Sequence, residues 1–430
     1  MRITIRPTRQ AGLLSLIVLW ASVCLASGAE PWLYAMEGTF RQETRYTYHL
    51  EFEPESRRFD VTVPLLQDVE QPWYTVTILD QTLTSDVPWQ SRYEEADPWG
   101  WPNVWSILSW GPGAERIQVE RSVRAISEAL YGPILSADPF PVEAFRLPME
   151  AYDQLIATSS IQSGDPAIVS EAERLVAGAR TELEAVVRIL GYVRREIRYA
   201  CAKDLCDPVL RVDAVATLEK GVGNCVCYAN LAIALLRAVG IPAAEANGFV
   251  ADRDESRASH AWISVYFPSW GWVEFESSDW MPAYREAPVT FLMPQHLTIY
   301  VTEGRGISSE APSEFHEASF EILERPTIQT SLEADVALGG AVAWVITVEI
   351  ADWEAHTIQL TTEGVPEGWY VSLSEESISF DPENAPSNSV DLLLTAIPGP
   401  VATGVFSFDI TAQSEGDEKG RITVQVQVDP

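Results

Sequence analysis

Three residue types that together can make and break acyl bonds occur within one stretch of the chain: Cys225, His260 and Glu276. A thiolate attacks carbonyl carbon, an imidazole moves the proton between nucleophile and leaving group, and a carboxylate holds the imidazole tautomer and orientation. Cys225 follows Asn224, a good N-cap, so its thiol is expected in the first turn of a helix. There the positive end of the helix dipole and the unpaired backbone N–H groups stabilise a thiolate. Position alone does not make a nucleophile, because many helix-starting cysteines are inert buried thiols. A base is needed.

Past the leader, the histidines are His49, His260, His296, His316 and His356. His260 opens an alternating segment in which Trp262, Ser264 and Tyr266 share its face, while Ala261, Ile263, Val265 and Phe267 form an apolar opposite face. In the next segment Trp272, Glu274 and Glu276 share a face opposite Val273 and Phe275. Closing a hairpin at Tyr266 and Trp270, through Phe267, Pro268 and Ser269, sets His260 directly across from Glu276. Glu274 and Asp279 are the alternative carboxylates.

These side chains need a framework. Tyr228, Leu231, Ala232, Leu235, Leu236 and Val239 make an apolar helical stripe after Asn224, ended by Gly240 and Pro242. Ser170 to Ala179 and Glu182 to Ile197 also read as helices, the second with Leu183, Val186, Val187, Leu190, Val193 and Ile197 at spacings of three and four. Helices followed by antiparallel strands make an α+β unit.

The combination resembles the transglutaminase-like superfamily. The matching motifs are Gly223-Asn224-Cys225-Val226-Cys227-Tyr228-Ala229, Leu236-Arg237-Ala238-Val239-Gly240-Ile241-Pro242, His260-Ala261-Trp262 and Gly271-Trp272-Val273-Glu274-Phe275-Glu276, in the family's order. The resemblance spans roughly Pro148 to Gly306 and is clearest from Lys220 to Glu276. It implies a papain-like core, Cys225 as nucleophile, His260 as base, and Glu276 where the family commonly has Asp. Cys227 stands where many members have Asp. A thioester mechanism on peptide or protein substrates is implied, with no cofactor and with water or an amine resolving the acyl-enzyme. The backbone N–H of Cys225 is a candidate oxyanion donor.

The remaining chain sets the context. Its formal charge is −33, from 62 acidic and 29 basic residues, which disfavours nucleic acid as a partner. Arg2, Arg6 and Arg9 precede an apolar run from Ala11 to Ala26 and then Ser27-Gly28-Ala29, the pattern of a secretory signal peptide, so a secreted or extracytoplasmic protein is expected, without a membrane span in the mature chain. Of the cysteines beyond the leader, Cys201 and Cys206 are expected to form a disulfide in such a compartment. A zinc site using all four is disfavoured, because Cys225-x-Cys227 is not a usual ligand spacing and the site would consume the nucleophile. No other grouping suggests a metal.

Period-two runs from Pro31 to Leu147, and again from Pro326, are broken by Pro and Gly turns and argue for β domains on either side. The fifteen tryptophans fit core packing better than glycan stacking. Gly364-Val365-Pro366-Glu367-Gly368-Trp369-Tyr370, with Pro398-Gly399-Pro400, resembles immunoglobulin-like modules that act as spacers. The expectation is therefore multidomain: signal peptide 1–29, N-terminal β domain 30–147, α+β papain-like transglutaminase core 148–306, linker 307–325 and C-terminal immunoglobulin-like β-sandwich 326–430. The expected function is cysteine acyl transfer or hydrolysis on peptides or proteins, with a cell-surface polymer as a further candidate partner. The alternative is a non-catalytic surface or adhesion protein that keeps the fold.

Overall fold

A computed structural model describes residues 33–52, 59–96, 104–111, 116–132, 134–135, 138–142, 147–199, 213–250, 259–278, 296–302, 313–323, 327–338, 340–350, 355–380, 389–399 and 403–430. The expected leader, Cys201, Cys206 and Asp279 lie outside the described residues.

The N-terminal unit is built on long antiparallel strands. Strand β1 (Leu33–Phe52) shares a sheet with β2 (Val69–Gln71), β3 (Tyr74–Ser85) and β4 (Ile117–Tyr131), and β4 lies between β1 and β3. Alternation along β4 is strict: Ile117, Val119, Val123, Ala125, Ala129 and Tyr131 are all buried. Arg121 falls on that inner face, where Nη2 donates to Gln81 Oε1 at 2.6 Å and Nη1 donates to the Pro64 carbonyl. A buried cation held by oxygens avoids the cost of an orphaned charge.

The central unit packs helices on a sheet. Helix α1 (Pro166–Leu175) starts at an Asp165 cap with proline at its first position. It begins four residues before the expected Ser170, at the Asp165 cap, and ends at Leu175, short of the expected Ala179. Helix α2 (Glu182–Glu196) is capped by Thr181, and the short α3 (Ala214–Lys220) by Asp213. Helix α4 (Cys225–Ala238) is surrounded by these three and by the sheet, and every residue from Cys227 to Arg237 is buried. That exceeds the single stripe expected. Arg237, although charged, sits inside, with Nε donating to Ala243 O at 2.9 Å, Nη1 to Ile156 O at 2.5 Å and Nη2 to Gln154 Oε1 at 3.1 Å.

The sheet runs β7 (Gly271–Phe275), β6 (Ser259–Phe267), β5 (Ala243–Val250) and β8 (His296–Thr302) in spatial order, all antiparallel. The inner face contributes Ile263, Val265, Phe267, Val273 and Phe275 to one core with Leu231, Leu235 and Leu236 of α4. Trp73 and Tyr74 of the N-terminal unit belong to the same core. Trp73 meets Trp270 edge-on at 5.1 Å and Phe275 at 5.8 Å, so the N-terminal unit and the central hairpin pack as one body.

At the C-terminal end β10 (Val342–Glu349), β11 (Tyr370–Leu373) and β12 (Ser389–Ile397) face a five-stranded sheet across a second core. Trp344, Ile346, Leu392 and Leu394 on one side meet Ile358, Ile410, Val424 and Val426 on the other.

Two placements differ from the sequence expectation. Ser313–Ile322, assigned to the linker, forms β9 and pairs along β1 from Gln42 to Leu50, with a register shift at Thr47/Tyr48 that breaks the regular alternation on which strand recognition depends. The start of β1 pairs with β10, Leu33 opposite Val348, and Leu33 and Ala35 lie in the C-terminal core. The first strand of the N-terminal unit thus also completes the last. Nor does the C-terminal unit hang free as a spacer. Ser372 Oγ donates to Glu184 Oε1 of α2 at 2.8 Å, Tyr370 Oη donates to the same oxygen at 3.2 Å, and the Arg180 guanidinium lies 4.5 Å above the Tyr370 ring.

Candidate active site

Asn224 has extended backbone, and its side-chain Oδ1 accepts from the N–H of Cys227 at 3.2 Å. The first intrahelical bond of α4 runs from Tyr228 N–H to Asn224 O at 3.0 Å. The N–H groups of Cys225 and Val226 precede that bond, which is the geometry that favours an anion at a helix start. Cys225 is half-buried.

Cys227 points the other way, about 200° round the helix, and is buried against Gly223. A Cβ on Gly223 would come within 2.3 Å of Cys227 Cβ. Gly223 is therefore a packing requirement of Cys227, and its φ is not in the left-handed region.

His260 stands on β6 facing the start of α4 and is 4% exposed. Its ring hydrogen-bonds the Cys225 thiol. Its Nε2 lies 2.8 Å from Glu276 Oε2. A carboxylate only accepts, so Nε2 carries the proton and Nδ1 is left to face the thiol. The other carboxylate oxygen, Oε1, accepts from Ser278 N at 2.6 Å and from Ser278 Oγ at 2.8 Å. Glu276 itself is 2% exposed. The carboxylate is thus fixed from both sides, by the imidazole and by the turn that follows β7.

The hairpin register differs from the expected one by two residues. Tyr266 pairs with Trp272 and Phe267 with Gly271, so the turn is Pro268-Ser269-Trp270. A two-residue shift preserves the face of every side chain, whereas a one-residue shift would invert it. Glu276 lies just past the end of β7 and reaches His260 diagonally. Glu274, the alternative carboxylate, is directed elsewhere: its Oε2 accepts from Trp262 Nε1 at 2.6 Å.

The electrostatics follow from burial and neighbours. Desolvation alone would lower the His260 pKa, but the Glu276 charge and the bonds to Cys225 and Glu276 outweigh it and raise the value to about 10. Desolvation pushes the Cys225 thiol up and Glu276 adds to that, yet the hydrogen bond and charge of His260, with a backbone hydrogen bond from Ala261, bring it below the ordinary thiol value. A thiolate–imidazolium pair held by a carboxylate is the arrangement that adds sulfur to a carbonyl at neutral pH.

Sequence reasoning missed Ser278 and Gln71. A serine two residues after a carboxylate can return its own N–H and hydroxyl to that carboxylate, and that local signal was available in Glu276-Ser277-Ser278. Gln71, whose Oε1 accepts from Glu274 N at 2.9 Å, arrives from another unit with no local signal.

Residues 170–277 match the family model described as the transglutaminase-like superfamily. The chain is also similar to solved structures at low identity. One, from Cytophaga hutchinsonii and described as a candidate cysteine protease, has 16% identity and a TM-score of 0.48 over 68% of this chain and 93% of that one. The periplasmic domain of TgpA from Pseudomonas aeruginosa bound to ethylmercury has 14% identity and a TM-score of 0.29, over 58% of this chain and 91% of that one. Red sea bream transglutaminase has 10% identity and a TM-score of 0.22, over 89% and 95% respectively. No curated protein matches the chain. The segment 170–277, which holds the half-buried thiol and the imidazole and carboxylate beside it, is a transglutaminase-like core.

Proposed function

We propose that this protein is a cysteine enzyme of the extracytoplasmic space that catalyses acyl transfer or hydrolysis on peptide or protein substrates, with Cys225 as nucleophile, His260 as general base and acid, and Glu276 as the group that orients His260. The observation that carries the reading is the continuous hydrogen-bonded set from the Cys225 thiol through His260 to a Glu276 carboxylate whose second oxygen is held by Ser278.

In the first half-reaction the Cys225 sulfur adds to the substrate carbonyl carbon, and the carbonyl π electrons move to oxygen. The backbone N–H of Cys225 is the candidate donor to that oxyanion. The C–N bond then breaks as His260 delivers its proton to the departing nitrogen, leaving a thioester and neutral imidazole. In the second half-reaction His260 removes a proton from water or an amine as it attacks the thioester, and sulfur leaves as thiolate. Water gives hydrolysis, and an amine gives a new amide. The C-terminal pair of sheets is read as an immunoglobulin-like module that braces α2 through Glu184.

Export rests on the basic and apolar leader in the sequence. No helix among the described residues is long and apolar enough to cross a membrane.

The test is to incubate the purified protein with a peptide library, with and without an added primary amine, and read products by mass. Products that need Cys225 support the reading, and amine incorporation separates transfer from hydrolysis. No product with either acceptor, together with an ordinary Cys225 thiol, favours a non-catalytic surface protein.

A further inference from the structure

We propose that Glu274 and Trp262 form a positioning pair for His260, held from outside the core by Gln71 of the N-terminal β unit. The inference rests on the catalytic reading of Cys225 and His260 and adds to it the residues that set the imidazole plane.

Glu274 is a carboxylate only 4% exposed, two residues before Glu276 on the same face of the strand. A buried charge is costly unless its lone pairs are engaged. Its Oε2 accepts from Trp262 Nε1 at 2.6 Å, and Trp262 is fully buried. An apolar residue at position 274 would leave the indole N–H without that acceptor.

The pair repeats the geometry of the catalytic one. In the ladder Ser264 lies opposite Glu274, yet Glu274 bonds Trp262, two positions along β6. His260 and Glu276 have the same two-residue offset from that register. Two parallel diagonal bonds therefore cross from β7 to β6. The rings they hold are neighbours, with centroids of His260 and Trp262 5.8 Å apart and planes tilted by 38°. Fixing the indole fixes the ring beside which the imidazole stands.

The anchor comes from another unit. Gln71, at the end of β2, accepts the backbone N–H of Glu274 at 2.9 Å, and Tyr74 at the start of β3 is near enough to Glu274 for that charge to help push its phenol well above its ordinary pKa, after the larger effect of burial. The β2–β3 turn also supplies Trp73, packed on Trp270 and Phe275. The N-terminal unit thereby sets the path of the strand that carries both carboxylates.

The test is the pH profile of Cys225 alkylation by iodoacetamide in the full chain, for the unmodified protein and for Glu274→Ala, Glu274→Gln and Trp262→Phe. Glutamine keeps an oxygen that can accept the indole N–H; alanine and phenylalanine remove one partner each. A positioned imidazole holds the thiolate, so Glu274→Ala and Trp262→Phe should move the midpoint up by about one pH unit toward that of an ordinary thiol, while Glu274→Gln should stay within about 0.3 unit of the unmodified protein. Circular dichroism reports whether each variant is folded, and the mild Trp262→Phe change keeps the test valid if Glu274→Ala is not. Profiles unchanged in both folded variants would overturn the pair's role while leaving the catalytic reading standing. An ordinary thiol midpoint in the unmodified protein would remove that reading and the inference with it.

Discussion

His260 and Glu276 are hydrogen-bonded at 2.8 Å although they are not ladder partners: Glu276 lies beyond the last paired residue of its strand, and Ser278 holds its other oxygen. Three groups that meet the carboxylate, His260 Nε2–H, Ser278 N–H and Ser278 O–H, are donors. Glu276→Gln must set its amide nitrogen against one of them. Acylation should fall by about a hundredfold or more, in line with the cost of a misoriented imidazole, and stability should fall modestly. Stopped-flow acylation with denaturant melts separates the two effects, and undiminished acylation would remove Glu276 from the mechanism.

Glu276→Asp tests reach. The shorter side chain restores the family's usual residue, but it must still satisfy Ser278 and His260 from one carbon further back. Much of the activity should remain, and Ser278→Ala in the aspartate background should lower it further, because the serine is what fixes the carboxylate.

Gly223→Ala should destabilise the protein by about 1–3 kcal/mol, the usual cost of forcing extra volume into a packed site. The added Cβ would lie 2.3 Å from Cys227 Cβ, so the start of α4 must shift. Thermal unfolding of Gly223→Ala in the unmodified protein and in a Cys227→Gly background, where that Cβ is gone, checks the cause. If Gly223→Ala costs as much in the Cys227→Gly background, the clash with Cys227 is not the reason.

The buried pair also fixes a pH dependence of stability. The His260 pKa is raised to about 10 in the folded chain, so its contribution is complete below the ordinary value near 6.5 and is lost as pH rises through about 10. The Cys225 thiol is lowered, so its contribution is present above the ordinary thiol pKa and is lost as pH falls through its folded value. Between pH of about 8 and 10 the unmodified protein should therefore lose stability more steeply than His260→Gln/Cys225→Ala, in which neither group of the pair titrates. Parallel slopes in urea melts across that window would contradict a charged His260.

Much of this site is readable from local sequence. Asn224 announces the helix start, and alternation from His260 and from Trp272 puts imidazole and carboxylate on matching faces; a register error of two residues left those faces intact because the strand period is two. What the sequence hides is non-local. Gln71 and Trp73 reach the hairpin from another unit, and nothing near Glu274 signals their arrival. The same holds for β1, whose first residues pair with β10 more than 300 positions away, and for β9, whose bulge breaks the alternation that would reveal a strand. Helix α1 starts four residues before Ser170 because Asp165 caps it and Pro166 opens its first turn, which brings Ile168 into the core.

The most direct test of the central claim is intact-mass measurement of a single turnover with an activated p-nitrophenyl ester at neutral pH, followed by peptide mapping and then by added hydroxylamine. The account expects one acyl group on Cys225, released by hydroxylamine as a thioester should be, no acylation of Cys225→Ala and slow acylation of His260→Ala. Acylation of Cys225→Ala as fast and as extensive as that of the unmodified protein would contradict it.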